Sequence, residues 1–215
     1  MRILDDRYQR DVRRYNLAVR MIHYEVRTHA ITVWTGLSKA RVRSLCRSYF
    51  TEHVARRAVR HRGPAPRSAA RLTRAPGLRN EAAAAAVLCR AMGIVGATAE
   101  SGASRPLPSV ARGERACAMY EAFCDMVPEP LLTLEHVLLL IRELDHGKSL
   151  QIGPCTTCRA DILIDRLSGA RRVCTPCHLG ERRPVDLPAE EVTHASARNA
   201  RDSAPWCEPV QQSLF

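Results

Sequence analysis

Four cysteines carry the chemistry most legible in this chain. Cys155, Cys158, Cys174 and Cys177 form two Cys-x-x-Cys pairs with fifteen residues between them, in CTTCRADILIDRLSGARRVCTPC. That spacing falls within the range of a structural zinc site. Each pair offers two thiolates converging on one point, and two pairs complete a tetrahedron at Zn–S distances of about 2.3 Å. Four thiolates leave no position open for water, so the expected site is one closed, structural Zn2+ that cannot activate a hydrolytic nucleophile. Redox-active dithiols would each want a helix N-terminus after a strand, a setting neither pair shows in sequence. An iron–sulfur cluster also takes four cysteines, but zinc is the commoner fit to paired knuckles. His178 adjoins Cys177 and four cysteines need no fifth ligand. Cys46, Cys89, Cys117, Cys124 and Cys207 lack ligand spacing and read as buried free thiols.

A site of this kind locks a module too small to hold itself together, with roughly 10–16 kcal/mol of metal-linked folding energy. Between the knuckles, the alternation around Ile162 and Ile164 and a turn at Ser168–Gly169 predict a short hairpin. It would carry Arg159, Arg166, Arg171 and Arg172 as a surface suited to phosphates.

Charge points the same way. The chain has 33 Lys and Arg against 22 Asp and Glu, a formal net charge of +11, and only Lys39 and Lys148 are lysines. Guanidinium groups suit bidentate recognition of phosphate and of guanine edges. A basic surplus of this size points first to nucleic acid.

The elements that must position these groups read as mostly helical. Aromatics are 5% of the chain, and Ala and Leu are plentiful, which favours helices over sheets. A helix is expected from Asp6 to about His29, with Tyr8, Val12, Tyr15, Val19, Ile22 and Val26 recurring as a heptad-like seam. These are candidate partner-binding residues, although periodicity alone favours packing into the chain's own core. In TVWTGLSKARVRSLCRSYF, Gly36 stands two residues ahead of Ser38, a good N-cap, and the plan is helix, tight turn, capped second helix. The second helix would turn Val42, Leu45 and Tyr49 inward and present Lys39, Arg41, Arg43 and Arg47 as candidate DNA contacts.

Residues 56–80 are rich in Arg, Pro, Gly and Ala and read as a basic linker. Helices follow at EAAAAAVLCRAM, capped by Asn80, and at about Ala111–Met126, with a stripe of Ala116, Tyr120, Phe123 and Val127. The most apolar helix, Leu134–His146, is capped by Thr133, stopped at Gly147 and expected at the centre of the core. The HGKS that follows lacks the earlier glycine of a phosphate-binding loop, since position 142 is Arg142. No apolar h-region follows Met1, and VLLLI at 137–141 is too short to span a membrane, so a cytoplasmic protein with no membrane partner is expected.

The fold class expected is therefore predominantly α: a helical body with a helix-turn-helix-like N-terminal part and a small zinc-binding C-terminal module with a short hairpin. Its divisions are 1–55, a linker at 56–80, a helical core at 81–150, the four-cysteine zinc module at 151–183 and a polar tail at 184–215.

The order of these features resembles the bacterial flagellar transcriptional activator FlhC family. Three places carry the resemblance: TGLSKARVRSLCRSY after the N-terminal helix, LTLEHVLLLIRELDHGKSLQI leading into the cysteines, and GPCTTCRADILIDRLSGARRVCTPC. Unlike the family, the Pro-rich stretch GPAPRSAARLTRAPGLRNEAAAAA has no Trp or Phe. The resemblance implies a non-enzymatic activator of flagellar operons that binds promoter double-stranded DNA together with an FlhD-type partner and works on RNA polymerase. It also implies zinc ligands at the four cysteines named above. The alternative is a zinc-stabilised interaction scaffold without sequence-specific DNA binding.

Overall fold

The long N-terminal helix expected to about His29 is divided in two. In the computed structural model, which describes residues 2–52, 66, 68–96, 108–167 and 172–180 (side chains from 7 to 49 in the first stretch), α1 is Arg2–His23. It stops where Glu25 N–H donates to Ile22 O and Val26 N–H to Met21 O, each at 3.0 Å. Glu25 sits in the left-handed region at φ 58°. This is a Schellman turn, which usually carries glycine; a glutamate gives no sequence signal for it. The chain resumes as α2 (Thr28–Thr35), stopped at Gly36 with φ 71°, and α3 (Lys39–Glu52) follows. Ser38 caps α3, its Oγ accepting from Arg41 N–H at 3.3 Å. The expected tight turn and cap are both present.

The seam of α1 is corrected in register. The helix buries Leu17, Ala18, Met21 and Ile22. Ile22 and Val26 are therefore spent on this chain's own core and are not partner-binding residues. Val12 and Tyr15 are half-buried, while Tyr8 is 68% exposed and Val19 39%. A straight α-helix drifts about 20° per heptad from a strict seven-residue repeat. That drift is too small to explain the offset: Leu17 and Ala18 are buried while adjacent Val19 is exposed, so the buried face is a different stripe of the helix from the heptad seam.

The supposed linker is also corrected. Its described part holds α4 (Ala70–Thr73) and the first turn of α5 (Pro76–Ala91), and Leu72 is completely buried. Proline is well placed in a first helical turn, where its missing N–H costs nothing, so α5 starts at Pro76 and not at the Asn80 cap. Its buried face is Ala82, Ala85, Ala86 and Cys89. Residues 53–65 and 67, and the tail from 181 onward, lie outside the described residues, as does the separate unit Val185–Phe215.

α6 (Val110–Met126) is capped by Ser109 and buries Ala116, Tyr120 and Phe123 of the expected stripe, with Val127 half-buried. Gly113 lies where α6 crosses α1 and α2: a Cβ there would stand 2.7 Å from Leu17 Cδ2 and 3.4 Å from Trp34 Cε3. α7 (Leu134–His146) is the central helix, burying Leu134, Val137, Leu138, Leu139, Leu140, Ile141 and Leu144. Thr133 Oγ1 accepts from His136 N–H, His136 Nδ1 accepts from Thr133 N–H, and Gly147 closes the helix at φ 61°.

After α7 the chain forms β1 (Leu150–Pro154) and β2 (Asp161–Asp165), antiparallel with Leu150 opposite Asp165 and Pro154 opposite Asp161. The expected hairpin is thus present with a different partner. β2 pairs with the strand before the first knuckle, and Cys155–Ala160 is its loop; the turn at Ser168–Gly169 lies outside the described residues. Because successive residues face opposite sides, Leu163 joins the helical core, whereas Ile162 and Ile164 form a second small cluster with Cys155. The short helix α8 (Thr175–His178) holds the second knuckle. The described chain is predominantly helical with one small hairpin beside a four-cysteine cluster. No helix among the described residues is long and apolar enough to cross a membrane.

Candidate functional site

The two knuckles meet. The Sγ atoms of Cys155, Cys158, Cys174 and Cys177 all lie within 4.8 Å of one another, and Cys158 and Cys174 are 3.6 Å apart. A tetrahedron with Zn–S of about 2.3 Å has edges of about 3.8 Å, so the four sulfurs can close around one metal ion with small adjustments. Backbone geometry builds the cluster. Cys155 N–H donates to Ala160 O at 2.8 Å and Arg159 N–H to Cys155 O at 3.0 Å, with Arg159 in the left-handed region at φ 61°. The second knuckle is joined to the first where Thr156 N–H donates to Arg172 O at 2.8 Å.

Amide donors aim at the sulfurs. Cys155 Sγ accepts from Thr157 N–H at 3.4 Å and Cys174 N–H at 3.3 Å. Burial works against ionising this thiol, but the N–H groups of Cys158, Cys174 and Thr157 outweigh it and hold it at about 6. The Ala160 amide likewise holds Cys158 down. Burial pushes Cys177 up to about 12, aided by the protons it shares with the other three sulfurs. Four thiols at this separation cannot all ionise without a cation among them.

The remaining cysteines behave differently. Cys46, Cys89 and Cys117 are buried and Cys124 is half-buried, while Cys207 lies outside the described residues. Burial pushes Cys89 and Cys117 up to about 12, which makes them poor nucleophiles.

The arginines named for the module separate into different roles. Arg159 and Arg172 are exposed. Arg166 spends one guanidinium N–H on Gly147 O at 2.7 Å, which fastens the end of β2 to the end of α7. Arg171 lies outside the described residues. On α3, Val42 and Cys46 are buried and Leu45 and Tyr49 half-buried, leaving Lys39, Arg41, Arg43 and Arg47 exposed as expected. Arg41 does not project freely. Its Nε donates to Tyr15 Oη, and its guanidinium lies 5.5 Å from the Tyr15 ring centroid. Tyr15 therefore serves this contact between α1 and α3. His23 Nδ1 adds a second tie to α3, 2.8 Å from Tyr49 Oη.

Sequence reasoning missed two ion pairs, one buried and one half-buried, among the described residues of the helical body. Arg112, 3% exposed, pairs with Asp145 at 2.6 Å and donates Nε–H to Ile94 O at 2.8 Å. Its guanidinium also lies 6.0 Å from the Trp34 ring centroid, so one side chain links α2, α6 and α7. Arg27, at the N-cap of α2, pairs with Glu135 of α7. Neither pair has a local spacing signal, because the partners are far apart in the chain.

No protein-family model matches this chain, and no curated protein matches it.

Proposed function

We propose that this chain is a cytoplasmic, non-enzymatic DNA-binding subunit of a transcriptional activator. In this reading it recognises promoter DNA with an FlhD-type partner and acts on RNA polymerase at flagellar operons. Cys155, Cys158, Cys174 and Cys177 bind one structural zinc. The observation that carries the DNA reading is the second helix of the turn. α3 follows a left-handed Gly36, is capped by Ser38, turns Val42 and Cys46 inward, and leaves its basic side chains outside. That arrangement, with a net charge of +11, is what a recognition helix over phosphates requires.

Zinc is supported by the donor set, four thiols within 4.8 Å of one another with amides aimed at Cys155. The ion would neutralise thiolate charge and lock the knuckles. The flagellar assignment and the partner rest on the resemblance to the FlhC family at the three stretches quoted above. A scaffold reading is favoured by one observation: Leu167, Leu179, Met126 and Leu131 are large apolar side chains between 59% and 76% exposed.

The test is DNA binding to a flagellar promoter fragment across a salt series, for the chain alone and with the FlhD-type protein. The DNA reading expects sequence-selective binding, strengthened by the partner, with log K falling by about 0.9 per neutralised phosphate as log salt rises. Weak binding that ignores sequence in both conditions overturns it in favour of the scaffold. Metal analysis of the purified chain should return one zinc per chain.

A further inference from the structure

A cleft of about 360 Å³ lies between the first turns of α5 and the hairpin with its second knuckle. Two arginines line it from parts of the chain far apart in sequence, Arg79 on α5 and Arg172 just ahead of Cys174. Among the described residues, neither guanidinium has a hydrogen bond or an ion pair. The carboxylates of the same cleft are committed elsewhere. Asp161 pairs with Arg90, and Asp165 accepts from Thr73 Oγ1 at 3.1 Å and from Leu167 N–H at 2.9 Å. Arg79 is half-buried and Arg172 exposed. Arg79 has thus given up part of its water without gaining a counter-charge, which costs free energy. A second cation lining the same cleft adds to that cost, and an anion held between the two would relieve it.

We propose that Arg79 and Arg172 are the two arms of a phosphate-binding site and, resting on the DNA reading above, that a backbone phosphate of the promoter occupies it. The planar fork of arginine matches the oxygens of a phosphate, and two forks can grip different oxygens of one group. The cleft is at the small end of the range for ligand sites, about 300–1,000 Å³. It has room for a phosphate and the sugar beside it, whose carbon face suits Ala83, Ile162 and Val173 in the lining. Such a contact fixes register on the duplex and carries no sequence information. The two arms belong to different parts of the fold. Arg172 is set by the meeting of the knuckles, its carbonyl accepting from Thr156 N–H at 2.8 Å and from Thr156 Oγ1 at 3.2 Å. Arg79 belongs to the helical body. A phosphate held by both therefore fastens the cysteine module to the body when DNA is bound.

The experiment measures promoter binding by the full chain with its FlhD-type partner for wild type, Arg79→Gln, Arg172→Gln and the double variant. Each variant is first shown to keep wild-type melting and metal content. Either single change should weaken binding about tenfold, on every sequence alike. The double variant should be little weaker than the single ones, because both arms hold one phosphate, and its salt slope should fall by about 0.9. A second arm titrates inorganic phosphate into the chain alone and follows amide exchange in the second knuckle. Phosphate protection that the double variant loses, with duplex binding unchanged in every variant, would assign the site to free phosphate and overturn the backbone source. Single effects that multiply in the double variant overturn the shared clamp, since the two arginines would then hold separate phosphates. Variants that alter neither duplex binding nor phosphate protection overturn the site and leave the DNA reading standing. A wild type that is protected by phosphate but binds no promoter overturns the DNA reading and leaves the site.

Discussion

Replacing Cys174 by Ser should unfold the cysteine module and leave the helical body intact. Among the described residues, the module's own apolar cluster buries Ile162 and Ile164 beside Cys155, with Val173 half-buried. Two buried isoleucines contribute about 3–6 kcal/mol, whereas a structural zinc in such a site contributes roughly 10–16 kcal/mol. Leu163 of β2 packs in the helical core, but the other side-chain links to the body are polar and partly exposed: Thr175 Oγ1 to Asn80 Oδ1 at 2.8 Å, Thr73 Oγ1 to Asp165 Oδ2 at 3.1 Å, Arg166 to Gly147 O at 2.7 Å, and the Arg90–Asp161 pair. An exposed ion pair of this kind contributes about 0–1 kcal/mol, so these links cannot replace the metal. Losing even about 4 kcal/mol of the metal term speeds amide exchange roughly 1000-fold. Hydrogen exchange read by mass spectrometry should show that increase over the two knuckles, 155–160 and 172–180, while β2, anchored by Leu163 in the helical core, changes less. Leu134–His146, whose seven buried apolar side chains face the body, should change by less than about tenfold. Metal analysis of the same sample should show the zinc gone. Unchanged protection in the knuckles would refute the reasoning by showing that they hold themselves. Equal loss of protection in α7 would also refute it, because the module would then be part of the body's cooperative unit.

Arg112→Met should destabilise the chain by about 3–5 kcal/mol in urea unfolding, because it strands a nearly buried Asp145 without its partner. Arg112→Met combined with Asp145→Leu should recover most of that loss, and no recovery would show that the Ile94 and Trp34 contacts dominate. Gly113→Ala gains about 1 kcal/mol of helix propensity but drives a methyl against completely packed Leu17, at about 1–3 kcal/mol. Its melting temperature should fall, and a rise would show that α1 can yield. His136 has its pKa lowered from 6.5 by burial and by the Arg71 and Arg27 charges, and its Nδ1 accepts the Thr133 N–H. A base whose pKa falls on folding stabilises fully above its unfolded value, and that stability is lost as pH drops from 6.5 through the folded pKa. Melting should therefore decline on acidification in that window, and His136→Gln should flatten the decline; an unaltered slope would assign it elsewhere.

Local chemistry was legible wherever one residue type does one job. The four cysteines, Ser38 ahead of α3, Thr133 and Gly147 around α7, and Gly36 in its left-handed turn all stand where their types require. The break after α1 was not legible, because Glu25 occupies a conformation that glycine usually marks. The start of α5 was misread because both Pro76 and Asn80 can open a helix. Packing left Asn80 inside it, where it meets Thr175 across the module boundary.

The sequence by itself therefore determined the helical class, the four-cysteine cluster and the basic outer face of α3. Each depends on residue type and short-range spacing. Only the tertiary structure decided that β2 pairs with Leu150–Pro154, since both neighbouring segments could offer a strand and the core needed Leu150 and Leu163 on one side. It also decided that Ile22 and Val26 belong to this chain's interior, that Arg112 joins three helices, and that Arg41 leans on Tyr15. In each case the deciding partner lies far along the chain, and only the packed core brings it within reach.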